Sequence, residues 1–411
     1  MSPSKSLCDR CGYSPLAGVD AQIPEAVSAE LCSFPSKHRL DQRPLIIASF
    51  CRTWRNATLA LPTIWSDIRI HIRMVPKRAE LWILRIWLQR SGDHPLSVNI
   101  SSDSEVEHVD NPTLDLIIST SSRWKELYIR DVAPRLHSGL LDSSHDYQML
   151  HSLEFTSSPS PYSFEISRNT PLLRTLTIHR PSAERLGIPW AQLQHLSFRG
   201  TEGQLSSNSQ AILDILALTA NLHTLTMPYY VQGPLNYNPR SIHMPNLSKL
   251  ALRVSRGLVI GPPADIFTAL DLPVLKHVSF EVLASADRVA WRTSTDLLVL
   301  LSRSPVSCLI ITAHGKSKSS PSDEDLVKVL QALPGLKGLH LLGTGIRCTT
   351  KSLFNRLSYK PDVPILVLLL KYISFRTKQL EHEVDIASFV DAMESRAKHQ
   401  PNVLQKFQWS A

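Results

Sequence analysis

From about residue 120 onward the apolar positions follow one short phrase: an apolar residue, two variable ones, an apolar residue, one variable, an apolar residue. It begins on Trp124 (WKELYI), Leu150 (LHSLEF), Leu173 (LRTLTI), Leu193 (LQHLSF), Leu222 (LHTLTM), Leu247 (LSKLAL), Leu275 (LKHVSF), Val306 (VSCLII) and Leu336 (LKGLHL). The loosest instance, ILVLLL, begins on Ile365. The last two apolar positions lie two apart, so both face one side of a short strand, and the first sits where the chain turns into it. One such strand leaves its apolar face bare; stacked neighbours bury a continuous core. Between phrases the pattern changes to helical spacing. Residues 211–220 (AILDILALTA) are one case, and residues 322–333 (SDEDLVKVLQAL) are a clearer one. In the latter, Ser322 is placed to cap the N-terminus, acids fill the first turn, and Pro334-Gly335 ends the helix.

Successive phrases start 20 to 31 residues apart. This phrase and spacing resemble leucine-rich repeats. The Asn or Cys usual after the strand is mostly missing, so the resemblance implies an irregular α/β solenoid with inserted loops, expected at residues 157–163, 229–241 and 314–322.

The region before the repeats is different. Four of the eight tryptophans fall between Trp54 and Trp87. Apolar groups at helical spacing predict a helix over residues 44–59, and KRAELWILRIWLQR predicts a second over 77–90, stopped by Ser91-Gly92. Residues 95–100 (PLSVNI) alternate like a strand. The stretch CRTWRNATLALPTIWSDIRI, residues 51–70, resembles the C-terminal half of an F-box of the kind found in mushroom-forming fungi. ELWILRIWLQRSGDHPLSVNI (80–100), the N-terminal LCDRCGYSP and FVDAMESR (389–396) resemble further pieces of that family. The resemblance implies docking on the Skp-family adaptor of a cullin-based ubiquitin ligase through Leu45, Ile46, Phe50, Trp54, Leu59 and Trp65. One departure stands out: no clean Leu-Pro-x-Glu-Leu-Leu-x-x-Ile-Phe helix opens the F-box. Either residues 23–31 are a weak version of it, or a coding segment is missing before Cys51.

Composition narrows the classes. At 43% hydrophobic and 19% charged, with 15 Gly and 28 Pro in 411 residues, the chain is neither disordered, collagen-like nor a long coiled coil. Its net charge of +8 is dispersed: residues 1–100 hold 13 bases and 8 acids, the rest 31 and 28. That dispersal argues against a nucleic-acid binder, which gathers charge on one stripe. The start of the chain has no apolar secretory segment, no run approaches the length of a membrane span, and six cysteines make no disulfide framework. A cytoplasmic or nuclear protein is expected.

Cys8 and Cys11 form a Cys-x-x-Cys pair followed by Gly12, but a zinc site needs two further ligands, so no metal is expected. Gly315-Lys316-Ser317 lacks the glycine a phosphate loop requires at position 310. There is no His-Glu-x-x-His and no Gly-x-Ser-x-Gly. Neither catalysis nor a cofactor is expected.

The resulting expectation divides the chain into a segment with the cysteine pair (1–43), an F-box-like helical module with its linker (44–100) and a solenoid (101–411). Function would be non-enzymatic substrate recognition for the ligase. The alternative is an interaction scaffold that has lost adaptor docking. Polar positions between the buried leucines, among them Arg174, Thr177, His195, His223, Lys249, Lys276 and Lys337, are expected on the exposed strand face. They are mostly basic or hydroxylic, which suits an acidic or phosphorylated protein substrate.

Overall fold

The computed structural model describes residues 43–73, 78–102, 111–130, 132, 136, 139–142, 144–155, 164–165, 170–178, 186–199, 209–228, 241–254, 266–282, 295–313, 322–343, 351–360, 366–376, 386–399 and 406–410. The chain is α/β and divides into two compact units, Met1–Thr177 with Glu184–Pro189, and Ile178–Ala183 with Trp190–Ala411.

Among the described residues the first unit opens with helices α1 (Arg43–Phe50) and α2 (Arg52–Ala60) and a 3-10 turn over Pro62–Trp65. The single helix expected over residues 44–59 is thus two. Cys51 stands in extended backbone, φ −161° and ψ 173°, and separates them. Neither proline nor glycine marks the break. Arg55 closes it: its backbone N–H donates to the Cys51 carbonyl at 2.9 Å and its Nε to the Ala48 carbonyl at 3.1 Å.

Then follow β1 (Asp67–Ile72), α3 (Arg78–Ser91), β2 (Leu96–Ser102), α4 (Pro112–Ile118), β3 (Trp124–Arg130), β4 (Ser152–Phe155) and β5 (Thr175–Ile178). Helix α3 stops as expected, with Gly92 in left-handed backbone at φ 50°. Strand β1 was not foreseen, although Ile68, Ile70 and Ile72 alternate with polar residues and are buried. The strands lie side by side in the order β1-β2-β3-β4-β5. Ile68 stands opposite Val98, which stands opposite Leu127. Residues 67–102 therefore supply two strands to the ladder that β3 continues.

The second unit contains β6 (His195–Phe198), α5 (Ser209–Ala217), β7 (Thr224–Pro228), β8 (Lys249–Val254), β9 (His277–Val282), α6 (Thr295–Arg303) and β10 (Cys308–Ala313). It continues with α7 (Asp323–Gln331), β11 (Gly338–Leu342), α8 (Lys351–Leu357), β12 (Tyr372–Arg376), α9 (Ile386–His399) and β13 (Lys406–Ser410). Its strands also lie in chain order, and every pairing from β6–β7 to β12–β13 is parallel. Parallel neighbours need a crossover, and α6, α7, α8 and α9 supply helical ones. As expected, Ser322 caps α7, its Oγ accepting from the Asp325 N–H at 3.2 Å.

The phrase explains the ladder. Its second apolar residues stand in register across the second unit: Leu225, Leu250, Val278, Leu309, Leu339 and Ile373. All six are buried, as are the first and third apolar residues of these phrases. A hydrogen-bond motif repeats just before each strand. The Ser248 carbonyl accepts from the N–H groups of both Lys276 and His277, Lys276 likewise from Ser307 and Cys308, and Ser307 from Lys337 and Gly338. A further buried position, three residues before the phrase, was not anticipated. Tyr147, Thr219, Met244, Leu272 and Leu333 occupy it, each carbonyl accepting from the N–H of the phrase's first residue.

The tenth phrase is corrected. Residues 366–369 form a turn, with Leu368 and Leu369 exposed and Val367 in left-handed backbone at φ 50°. The true phrase is Leu370-x-x-Ile373-x-Phe375, all three buried, leading into β12. Arg396 of α9 holds that turn. It is almost fully buried, and its guanidinium donates to the carbonyls of Leu357 (3.1 Å), Leu366 (3.0 Å) and Val367 (2.7 Å). At Gly343, φ 104°, an added Cβ would lie 2.2 Å from the Ala313 carbonyl oxygen, so only glycine fits there. The expected loops at 157–163, 229–241 and 314–322 lie outside the described residues except for their last positions Ser241 and Ser322.

Candidate functional site

Two surfaces carry chemistry, one in each unit. In the first unit the α1–α2 pair rests on a core of Trp65, Ile83 and Trp87, with Leu45, Ile64 and Trp82 packed against it. Trp65 and Trp87 meet edge to face, ring centroids 5.6 Å apart, and the Arg90 guanidinium lies 4.4 Å over the Trp65 ring. Polar bonds tie this core to α2. Trp65 Nε1–H donates to the Thr58 carbonyl at 2.8 Å, and Thr58 Oγ1–H to the Trp54 carbonyl at 2.7 Å. Trp54 itself turns outward.

The expected adaptor residues separate accordingly. Phe50 and Trp54 are 59% and 57% exposed, and Leu59 and Leu61 are exposed beside them in sequence. Leu45 is half-buried against the tryptophan core. Trp65 is completely buried, so it presents no surface and acts by holding α2. Ile46 lies in α1, its side chain outside the described residues. Leu61 was missed by the sequence pattern, because it follows the last helical residue and falls out of period.

In the second unit the surface comes from the two residues between the first and second buried positions of each phrase, the pair that leads into each strand, with Gly338 alone of them buried. These pairs are Gln194-His195, His223-Thr224, Ser248-Lys249, Lys276-His277, Ser307-Cys308, Lys337-Gly338 and Lys371-Tyr372. His195, His223, Lys249, Lys276 and Lys337 are all exposed. His195, Thr224 and Lys249 are aligned across β6, β7 and β8. Partial burial of the ring, and behind it the charges of His223 and Lys249, pushes the His195 imidazole below its usual range. Those three side chains therefore share one electrostatic neighbourhood.

Arg174 belongs to the first unit and is otherwise engaged. Its Nη1 donates to the carbonyls of Pro171 and Leu173, both at 3.1 Å, so it braces the turn before β5. Thr177, expected on the exposed face, is buried, as is Glu154 at the equivalent place in β4. The strand face of the first unit also carries acids. Glu126 Oε2 accepts from Tyr128 at 2.9 Å and Ser97 at 3.2 Å, and Glu154 lies 3.9 Å from Arg130. Burial, then the Glu126 bond, pushes the Tyr128 phenol up to about 12.

Among the described residues no group of three or more His, Cys, Asp or Glu is placed to hold a metal ion; Cys8 and Cys11 lie outside them. Cys308 sits in a leading pair, and burial pushes its thiol up, away from the nucleophilic thiolate. Among the described residues no helix is long and apolar enough to cross a membrane. No protein-family model matches this chain, and no curated protein matches it.

Proposed function

We propose that the chain is an irregular leucine-rich-repeat-like solenoid with a partial F-box module, serving as a non-enzymatic substrate-recognition subunit of a cullin-based ubiquitin ligase in the cytoplasm or nucleus. The observation that carries this reading is the outward pair Phe50 and Trp54 on helices fixed from behind by a tryptophan core. Large aromatic side chains left bare on a rigid support mark an interface, and such residues contribute most of the energy of protein contacts. The F-box resemblance of residues 51–70 supplies the partner, a Skp-family adaptor. The repeating phrase, with equivalent positions buried and in register, supports the solenoid. The gain for ubiquitin transfer is proximity: the partner is held near chemistry carried out by other subunits.

Replacing an exposed residue tests docking without emptying the core. The Trp54→Asp and Phe50→Asp variants are expected to keep the wild-type circular dichroism spectrum and melting temperature while losing adaptor and cullin in affinity capture from cells. Undiminished capture of the adaptor by both variants would remove this surface from the ligase reading.

A further inference from the structure

We propose that the leading pairs of β6 to β12 form a docking track for a carboxylate-rich acidic segment of a partner protein. The inference rests on the recognition-subunit reading only in taking that partner to be the substrate. Across the seven pairs no Asp or Glu occurs, while lysine or histidine appears in all but one, Ser307-Cys308. The nearest acid on these strands, Glu281, is already neutralised by Arg253 Nε at 2.6 Å. Among the described residues Lys249, Lys276, Lys337 and Lys371 form no ion pair. Their charge is left for a partner.

Geometry sets the size of that partner. Parallel strands lie about 4.8 Å apart, so the track from β6 to β12 runs about 29 Å, the reach of roughly nine residues of extended peptide. Lys249 and Lys276 lead neighbouring strands, as do Lys337 and Lys371. The carbonyls of the leading pairs are bonded to the next strand and fix the spacing, while the flexible lysine stems adapt to the ligand.

The chemistry of the pairs selects among anions. Bidentate recognition of phosphate uses the planar fork of arginine, and no arginine stands in these pairs; lysine and histidine offer separate point charges that match carboxylates spaced along a peptide. Single-stranded nucleic acid needs broad aromatic platforms for its bases, and Tyr372 is the one Phe, Tyr or Trp among the seven pairs.

The test uses the intact chain and fluorescence anisotropy with a labelled decaglutamate peptide. Controls are decaglutamine, a phosphoserine peptide and a single-stranded oligonucleotide, the latter two of matched charge. Decaglutamate is expected to bind best, with affinity falling as salt rises. The triple variant Lys249→Glu, Lys276→Glu, Lys337→Glu, all at exposed positions, is expected to weaken it about tenfold or more. Equal binding by the triple variant, equal binding of decaglutamine, or tighter binding of the phosphopeptide or oligonucleotide would overturn the proposal. Adaptor capture separates this outcome from the ligase reading. The triple variant is expected to retain the adaptor and Trp54→Asp to retain the peptide. A wild-type chain that binds peptide but no adaptor leaves the track standing and removes only the ligase.

Discussion

Replacing Arg396 with methionine is expected to destabilise the second unit by about 3 kcal/mol, read as a melting temperature lowered by roughly 6–12 °C in calorimetry. Two effects oppose each other. A buried guanidinium without a carboxylate is costly to desolvate, and its burial pushes its pKa down to about 10, which leaves it charged at neutral pH. Against this, it satisfies the carbonyls of Leu357, Leu366 and Val367 at once. The Val367 carbonyl also closes the turn by accepting from the Leu370 N–H at 3.1 Å. Methionine fills similar volume but removes the guanidinium donor from all three, leaving the Val367 carbonyl with the Leu370 N–H alone, and a buried acceptor that loses its partner costs about 1–3 kcal/mol. Val367 adds to the effect, because a β-branched residue at positive φ is strained and persists only where its surroundings hold it. Arg396→Lys is expected to recover part of the loss, since a single ammonium cannot reach three carbonyls in a planar fan. A methionine variant as stable as wild type would mean that desolvation cancels the hydrogen bonds.

The second large effect belongs to Trp65. Trp65→Ala is expected to cost about 3–5 kcal/mol, the usual loss for truncating a fully buried aromatic. The cavity would open against Trp87 and Ile83 and release the Nε1–H bond to Thr58 that holds α2. Chemical denaturation should show an earlier midpoint for the first unit. Trp65→Phe keeps most of the packing and loses the bond, so it is expected to fall between wild type and alanine. If alanine costs no more than phenylalanine, the ring does not anchor α2.

These two residues show how unevenly the sequence discloses its structure. The repeating phrase was legible because its two polar positions set the phase, and from Trp124 to Leu336 every apolar position it marks is buried. Residues 365–370 contain no polar residue, so the run has no phase. The last leucine of the run, Leu370, begins the phrase, and Leu368 and Leu369 are left exposed. The break at Cys51 had no signal either: neither proline nor glycine marks it, and the bond from Arg55 to Ala48 across it belongs to the folded chain alone. Among candidate site residues, the exposure of Lys249, Lys276 and Lys337 was legible from alternation alone, whereas Lys371 was hidden by the run before it. Arg174 was not, because a side chain folded back onto its own turn has the same sequence pattern as one facing solvent. Trp65 and Trp54 look equivalent in sequence, yet one is core and the other surface. Only packing tells them apart.

The most direct test of the recognition-subunit account is a calorimetric titration of the purified intact chain with purified Skp-family adaptor. The account predicts a one-to-one complex of micromolar affinity or tighter, with a negative heat-capacity change from burial of Phe50 and Trp54, abolished by Trp54→Asp. Absence of binding by the wild-type chain, or equal binding by the Trp54→Asp variant, would contradict it.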